Sequence, residues 1–210
     1  MQDTFLPEAL LFFRAILYNI LMSKIIGFGG ENIVSKLNND TVTKIPFGIR
    51  YFINPLATTN EIIADLKVLQ VFFKKYLAPT KIVPRKNIFG IQSYTLTQEY
   101  IKGAPLKKSY LDNKDVKQQF LEIMKINETM LKSENKSYEF FGAWTLTFSH
   151  IVKKMANIMV ERETNRLYII DIGVLYLGEN YHSKLLGFIY KWAGRKQEKL
   201  LEGFWGSLPL

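Results

Sequence analysis

The hydrophobic period of this chain switches several times along its length, and that switching constrains the fold more than any single residue. Residues 31–37 and 41–45 are short runs rich in β-branched and aliphatic side chains, separated by the turn formers Asn38, Asn39 and Asp40. This pattern predicts a β-hairpin whose second strand is closed by Pro46. From residue 58 to 77 the period becomes helical, because Ile62, Leu66, Leu69, Phe73 and Leu77 fall on one face. Thr58 followed by Glu61 reads as a capping box at the helix start. Pro79 and Pro84 stop the helix and open an extended stretch. Residues 90–101, rich in Ile, Tyr and Thr, read as strands.

Gly103, Ala104 and Pro105 read as a linker, and the composition shifts there. A second amphipathic helix is predicted over 114–132, with Val116, Phe120, Ile123, Met124, Met130 and Leu131 on its apolar side. Short strands at 158–160 and 167–170 flank a turn at Glu163, Thr164 and Asn165, and a largely helical tail runs over 182–202. The terminal Phe204, Trp205 and Leu208 to Leu210 read either as a contact surface or as a segment packed on the core. At the other end, residues 7–23 read as a helix that is apolar nearly all round, with Pro7 in its first turn.

A length of 210 residues with 15 Phe and 11 Tyr is enough for a sizeable core and rules out disorder over most of the chain. There is no Cys, which excludes disulfide scaffolds, thiol nucleophiles and cysteine-held metal clusters. The two histidines, His150 and His182, exclude a multi-histidine cage. The net charge of +9 favours anionic partners. Residues 1–103 carry 12 basic against 7 acidic side chains and residues 104–210 carry 16 against 12, so the excess is spread rather than blocked. A spread charge makes nucleic acid an unlikely partner. No basic leader precedes the apolar stretch 9–28, and Arg14, Asn19 and Lys24 interrupt it. That argues against a spanning helix and leaves residues 7–23 as a packed helix or a membrane-surface contact. Missing signals and missing cysteines point to the cytoplasm.

Several weak chemical signals occur in a definite order. Gly27 and Gly29 bracket a turn where backbone N–H groups can approach phosphate oxygens, and Val34 follows. Lys44 lies in the next predicted strand, where an ordinary lysine would be solvated. The acids Glu61 and Asp65 sit one turn apart on the following helix. Gln98, Glu99, Tyr100 and Ile101 close a strand before Gly103. His150, Val152, Lys154 and Asn157 precede a strand, and a later strand runs into Asp171, Ile172 and Gly173. Asn157 and Asp171 are hard oxygen donors, 14 residues apart across the predicted 158–170 hairpin.

In this order the chain resembles the protein-kinase-like superfamily over residues 24–176. Residues 150–160 line up without gaps with the kinase catalytic loop and its following strand, and Asp171-Ile172-Gly173 resembles the metal-binding D-F-G. The resemblance implies an α+β, two-lobed fold. Residues 24–103 would form an antiparallel-sheet N-lobe with one long helix, and 104–210 a shortened, mainly helical C-lobe, behind an N-terminal helix at 1–23. It implies ATP and Mg²⁺ as cofactors. Gly27, Gly29 and Val34 would cover the phosphates, and Lys44 would meet them, paired with an acid. Asp65 is preferred over Glu61 because it matches the family's spacing. Gln98 would be the gatekeeper, the Glu99 carbonyl and Ile101 N–H would meet the adenine edge, and Asn157 and Asp171 would hold the metal. Lys154 would neutralise charge on the transferring phosphate.

Three departures qualify what the resemblance implies. Asn32 replaces the third glycine of the phosphate loop. Val152 stands where kinases place the Asp base, and valine cannot accept a proton. Only residues 174–210 follow Gly173, with no A-P-E segment and no platform for a peptide substrate. The reading is therefore a degenerate, pseudokinase-like domain that binds ATP and Mg²⁺ with weak or absent phosphotransfer. The alternatives are a non-enzymatic scaffold binding a protein or membrane partner, and an atypical small-molecule kinase.

Overall fold

A computed structural model describes residues 24–28, 32–46, 55–86, 92–142, 154–178 and 184–205. The N-terminal helix expected over 7–23 lies outside the described residues. The described fold is mixed α+β with antiparallel sheets and three helices. The chain divides into two compact units, Met1–Asn60 with Pro79–Tyr100, and Glu61–Ala78 with Ile101–Leu210. Most of the helix after the hairpin, from Glu61 onward, groups with the second unit.

The first unit holds strands β1 (Lys24–Phe28), β2 (Asn32–Lys36), β3 (Thr41–Pro46), β4 (Thr80–Lys86) and β5 (Gln92–Glu99). They form one antiparallel sheet in the order β1-β2-β3-β5-β4. The β2–β3 hairpin turns where the Asn/Asp run places it. The Asn38 side chain accepts from the Asp40 N–H at 2.9 Å, the local bond that makes Asn a turn former. Pro84 is tolerated because β4 is an edge strand, where a missing N–H disturbs fewer ladder bonds. The stretch read as strands over 90–101 is the single strand β5 in its described part.

Helix α1 spans Pro55–Phe72. It starts three residues before the expected cap, so Thr58 and Glu61 lie inside the helix and do not form its N-terminal capping box. Pro55 suits the first turn, where its missing N–H has no intrahelical acceptor. The helix also stops before Leu77, because tertiary pairing takes over its last turn. Leu77 bridges Ile169 in parallel, the Ala78 N–H donates to the Ile169 carbonyl at 2.9 Å, and the Ile169 N–H donates to the Tyr76 carbonyl at 2.7 Å. The apolar face is as expected: Ile62, Leu66, Leu69 and Phe73 are all buried.

In the second unit, β6 (Gly103–Lys107), β8 (Lys154–Glu161) and β9 (Leu167–Ile169) form a three-stranded sheet, and β7 (Lys136–Tyr138) pairs with β10 (Val174–Tyr176). The expected linker at 103–105 is thus a strand. Gly103 is required there for contact rather than flexibility, since a Cβ at that position would lie 2.0 Å from the Val160 carbonyl oxygen. Helix α2 (Lys114–Glu134) is capped by Asn113, whose side chain accepts from the N–H groups of Asp115 and Val116. It ends at Asn135 in the left-handed conformation, with φ 53°. Helix α3 (Lys184–Trp205) forms the tail, and Phe204 packs inward with its ring 6.2 Å from that of Phe120. The core of this unit gathers Leu69, Phe73, Leu106, Phe120, Ile123, Tyr138, Phe140, Met155 and Ile158, all buried. No helix among the described residues is long and apolar enough to cross a membrane.

Candidate functional site

Within the first unit, sheet register gathers three of the singled-out residues into one row. Gly27 is opposite Val34, Val34 is opposite Lys44, and Lys44 is opposite Leu96. Directly opposed residues in an antiparallel pair project from the same face. Lys44 is only 7% exposed, so it is not the solvated strand lysine that its sequence context alone would suggest. A lysine buried to that extent is held by partners in the fold. Gln98 lies in the next row, opposite Val42 and Thr80, and its Nε2 donates to Thr80 Oγ1 at 2.7 Å, tying β5 to β4.

Glu99 is exposed, and its N–H donates to the Pro79 carbonyl at 3.0 Å. The Tyr100 N–H donates to the Asp40 carbonyl at 2.8 Å, which ends the first unit. Ile101 is buried and opens the second. A Cβ on Gly27 would meet nothing closer than Val34 Cβ at 4.0 Å, so sterics do not demand glycine there. Gly29 lies outside the described residues.

Asp65 belongs to the second unit and Lys44 to the first. Asp65 is 1% exposed and accepts from the Tyr176 hydroxyl at 2.6 Å and from Lys136 Nζ at 3.3 Å. Lys136 also lies 4.7 Å over the Tyr176 ring. Asp65 thereby links α1 to the β7–β10 pair, a role its sequence position did not reveal.

The second cluster surrounds Asn157 and Asp171. The β8–β9 hairpin pairs Ile158 with Ile169, and one step further the Ile170 N–H donates to the Asn157 carbonyl at 3.0 Å. The hairpin therefore carries Asp171 to the neighbourhood of Asn157. Strand β8 is also irregular against β6: Pro105 opposes Met159 while Leu106 opposes Met155. The extra residues on β8 leave Asn157 and Ile158 buried consecutively, which breaks the strand's alternation. Such bulges re-aim side chains. Here the Asn157 N–H reaches the Phe140 carbonyl at 3.3 Å, and Asn157 Nδ2 donates to the Glu139 carbonyl at 2.7 Å. With Nδ2 engaged, Oδ1 is the acceptor atom of the amide.

Glu139 completes the cluster and was not singled out in the sequence. Its N–H donates to the Gly173 carbonyl at 3.0 Å, and a Cβ on Gly173 would sit 2.8 Å from Glu139 Oε2. The glycine after Asp171-Ile172 thus makes room for a carboxylate. The Ile172 N–H donates to Asp171 Oδ1 at 2.9 Å. The Tyr138 hydroxyl donates to the Asn157 carbonyl at 2.8 Å. Burial, reinforced by the negative charges of Asp171 and Glu139, pushes that hydroxyl well above the usual tyrosine range, so it remains a donor. Gln197 of α3 anchors the same segment, accepting from the Phe140 N–H at 2.9 Å and donating to the Tyr138 carbonyl at 2.8 Å. No sequence signal pointed to Glu139 or Gln197, because each acts across a long separation in the chain.

Lys154 is exposed at the start of β8, opposite Lys107, so it sits on a strand rather than in a loop. His150 and Val152 lie outside the described residues. Among the described residues no group of three or more His, Cys, Asp or Glu could hold a metal by itself. Amide and carboxylate oxygens, such as those of Asn157 and Asp171, are of the hard donor type that divalent cations like Mg²⁺ take. No protein-family model matches this chain, and no curated protein matches it as a relative.

Proposed function

We propose that the chain is a degenerate member of the protein-kinase-like superfamily that binds ATP with Mg²⁺ and transfers phosphate weakly or not at all. The observation that carries this reading is the row Gly27–Val34–Lys44, with a buried lysine on an antiparallel sheet whose third and fourth strands are joined through a long helix. The register of the β8–β9 hairpin, in which the Ile170 N–H donates to the Asn157 carbonyl and Asp171 is the next residue, supports it independently. Lys44 would bind phosphate oxygens, the Glu99 carbonyl and Ile101 N–H would meet the base with Gln98 as gatekeeper, and Asn157 Oδ1 with the Asp171 carboxylate would hold the metal. Bound Mg²⁺ would supply charge neutralisation on the phosphates. Val152 supplies no proton acceptor, and loss of a general base removes about 10²–10⁴ in rate.

A second reading, an atypical small-molecule kinase, is favoured by Glu139, whose backbone is tied to both Asn157 and Gly173. Its carboxylate could accept the proton that Val152 cannot. ATP turnover lost in both Asp171→Ala and Glu139→Gln would select this reading over the first.

Thermal unfolding with ATP, ADP or no nucleotide, each with and without Mg²⁺, tests both. Ligand at 100 times its dissociation constant stabilises by about 2.7 kcal/mol. For a chain of this size that raises Tm by roughly 5–10 °C. The shift should require Mg²⁺ and vanish in Asp171→Ala and Lys44→Met. No shift at millimolar nucleotide would overturn the nucleotide-binding reading.

A further inference from the structure

Helix α3 carries two stripes of opposite character. Ala193, Gln197, Leu200 and Phe204 recur at helical spacing and are buried. On the other side, Phe188 is 70% exposed, Ile189 44% and Trp192 43%. Large apolar side chains grouped within little more than one turn and left in water mark a contact surface rather than scattered exposure. The same stripe continues through Arg195 and Lys199, both exposed, with Lys196 at its edge. Lys196 Nζ lies 5.1 Å over the Trp192 ring, so cation and indole share one surface.

We propose that this face of α3 docks on an anionic lipid surface, with Phe188, Ile189 and Trp192 entering the headgroup–acyl boundary and Arg195, Lys196 and Lys199 meeting lipid phosphates. Charge complementarity selects this occupant. Aromatic and aliphatic residues beside Lys and Arg are the composition of a helix lying in a membrane interface. A nucleic-acid backbone would use the cations but would leave Phe188 and Ile189 in water. The acids Glu198 and Glu202 lie along one flank of the stripe, so lipid contact favours the flank bearing Lys196. Lipid contact at this face is independent of nucleotide binding.

The test is flotation of the full chain with vesicles of phosphatidylcholine alone or mixed with phosphatidylglycerol, at low and high salt. The chain should float with the mixed vesicles at low salt and much less with phosphatidylcholine alone. Arg195→Gln combined with Lys199→Gln should lower partitioning about 30-fold, taking about 1 kcal/mol per basic residue near the surface. Phe188→Ser combined with Trp192→Ser should abolish flotation. All four positions are exposed, so unfolding temperatures should be unchanged; if one pair unfolds the protein, the other pair decides. Absence of flotation with phosphatidylglycerol vesicles at low salt would overturn the proposal. So would flotation that survives the folded variants, which would assign membrane contact to another part of the chain.

Discussion

Replacing Gln197 with Leu tests whether α3 holds the segment that positions Asn157. Gln197 is 2% exposed, and its amide makes three bonds: from the Phe140 N–H at 2.9 Å, to the Tyr138 carbonyl at 2.8 Å and to Ser137 Oγ at 3.2 Å. Leucine keeps most of the volume and removes every polar partner. Ser137 retains Asn127, whose Nδ2 donates to its hydroxyl at 3.2 Å. The Phe140 N–H and the Tyr138 carbonyl lose their best partners, and each buried orphan costs about 1–3 kcal/mol. Gln197 also lines a cavity of ≈ 700 Å³ between α2 and α3, through which water can reach the vacated atoms. That puts the net cost near the lower end, about 2–4 kcal/mol. At roughly 2–4 °C per kcal/mol for a chain of this length, Tm should fall by about 4–16 °C. Circular dichroism on heating reads the shift, and urea unfolding reads the free energy. Asn127→Ala in the same background should be non-additive, because both amides meet at Ser137 Oγ. A Tm within about 2 °C of the parent would refute the reasoning, since a satisfied buried amide cannot be that cheap to remove.

Gly103→Ala should destabilise by about 2 kcal/mol or more, because its Cβ would lie 2.0 Å from the Val160 carbonyl oxygen, a backbone atom that cannot step aside. Gly27→Ala, with its nearest neighbour at 4.0 Å, should change stability by less than about 1 kcal/mol; urea midpoints of the two variants compare them directly. Tyr138 is raised above its usual value near 10, so the unfolded chain releases this proton first. Its contribution is present below about pH 10 and is lost as pH rises towards the folded-state value. Tyr138→Phe should therefore flatten the loss of stability between about pH 9 and pH 11; equal slopes in parent and variant would remove Tyr138 from the alkaline transition.

Local chemistry was legible where one short stretch decides its own conformation. The β2–β3 hairpin follows from Asn38 and its bond to Asp40, and α2 follows from its apolar face with Asn113 at the cap. The buried face of α1 was legible too, since Ile62, Leu66, Leu69 and Phe73 repeat at 3.6 residues. Its ends were not, because residues 76–78 are drawn into pairing with Ile169 more than ninety positions away.

The candidate site divides along the same line. The donor types at Lys44, Asn157 and Asp171, the absence of cysteine and the lack of a proton acceptor on the Val152 side chain are properties of the sequence by itself, because they depend only on which atoms each residue carries. That Lys44 stands in one row with Gly27 and Val34, that a bulge in β8 turns Asn157 inward, and that Glu139 takes the space Gly173 leaves open were decided by tertiary structure. The same holds for Gly103, which looks like a linker glycine in the chain and is a close-approach glycine in the sheet. Register, bulges and close approach arise from strands distant in sequence, and a residue's neighbours in the chain carry no record of which backbone will pass beside it.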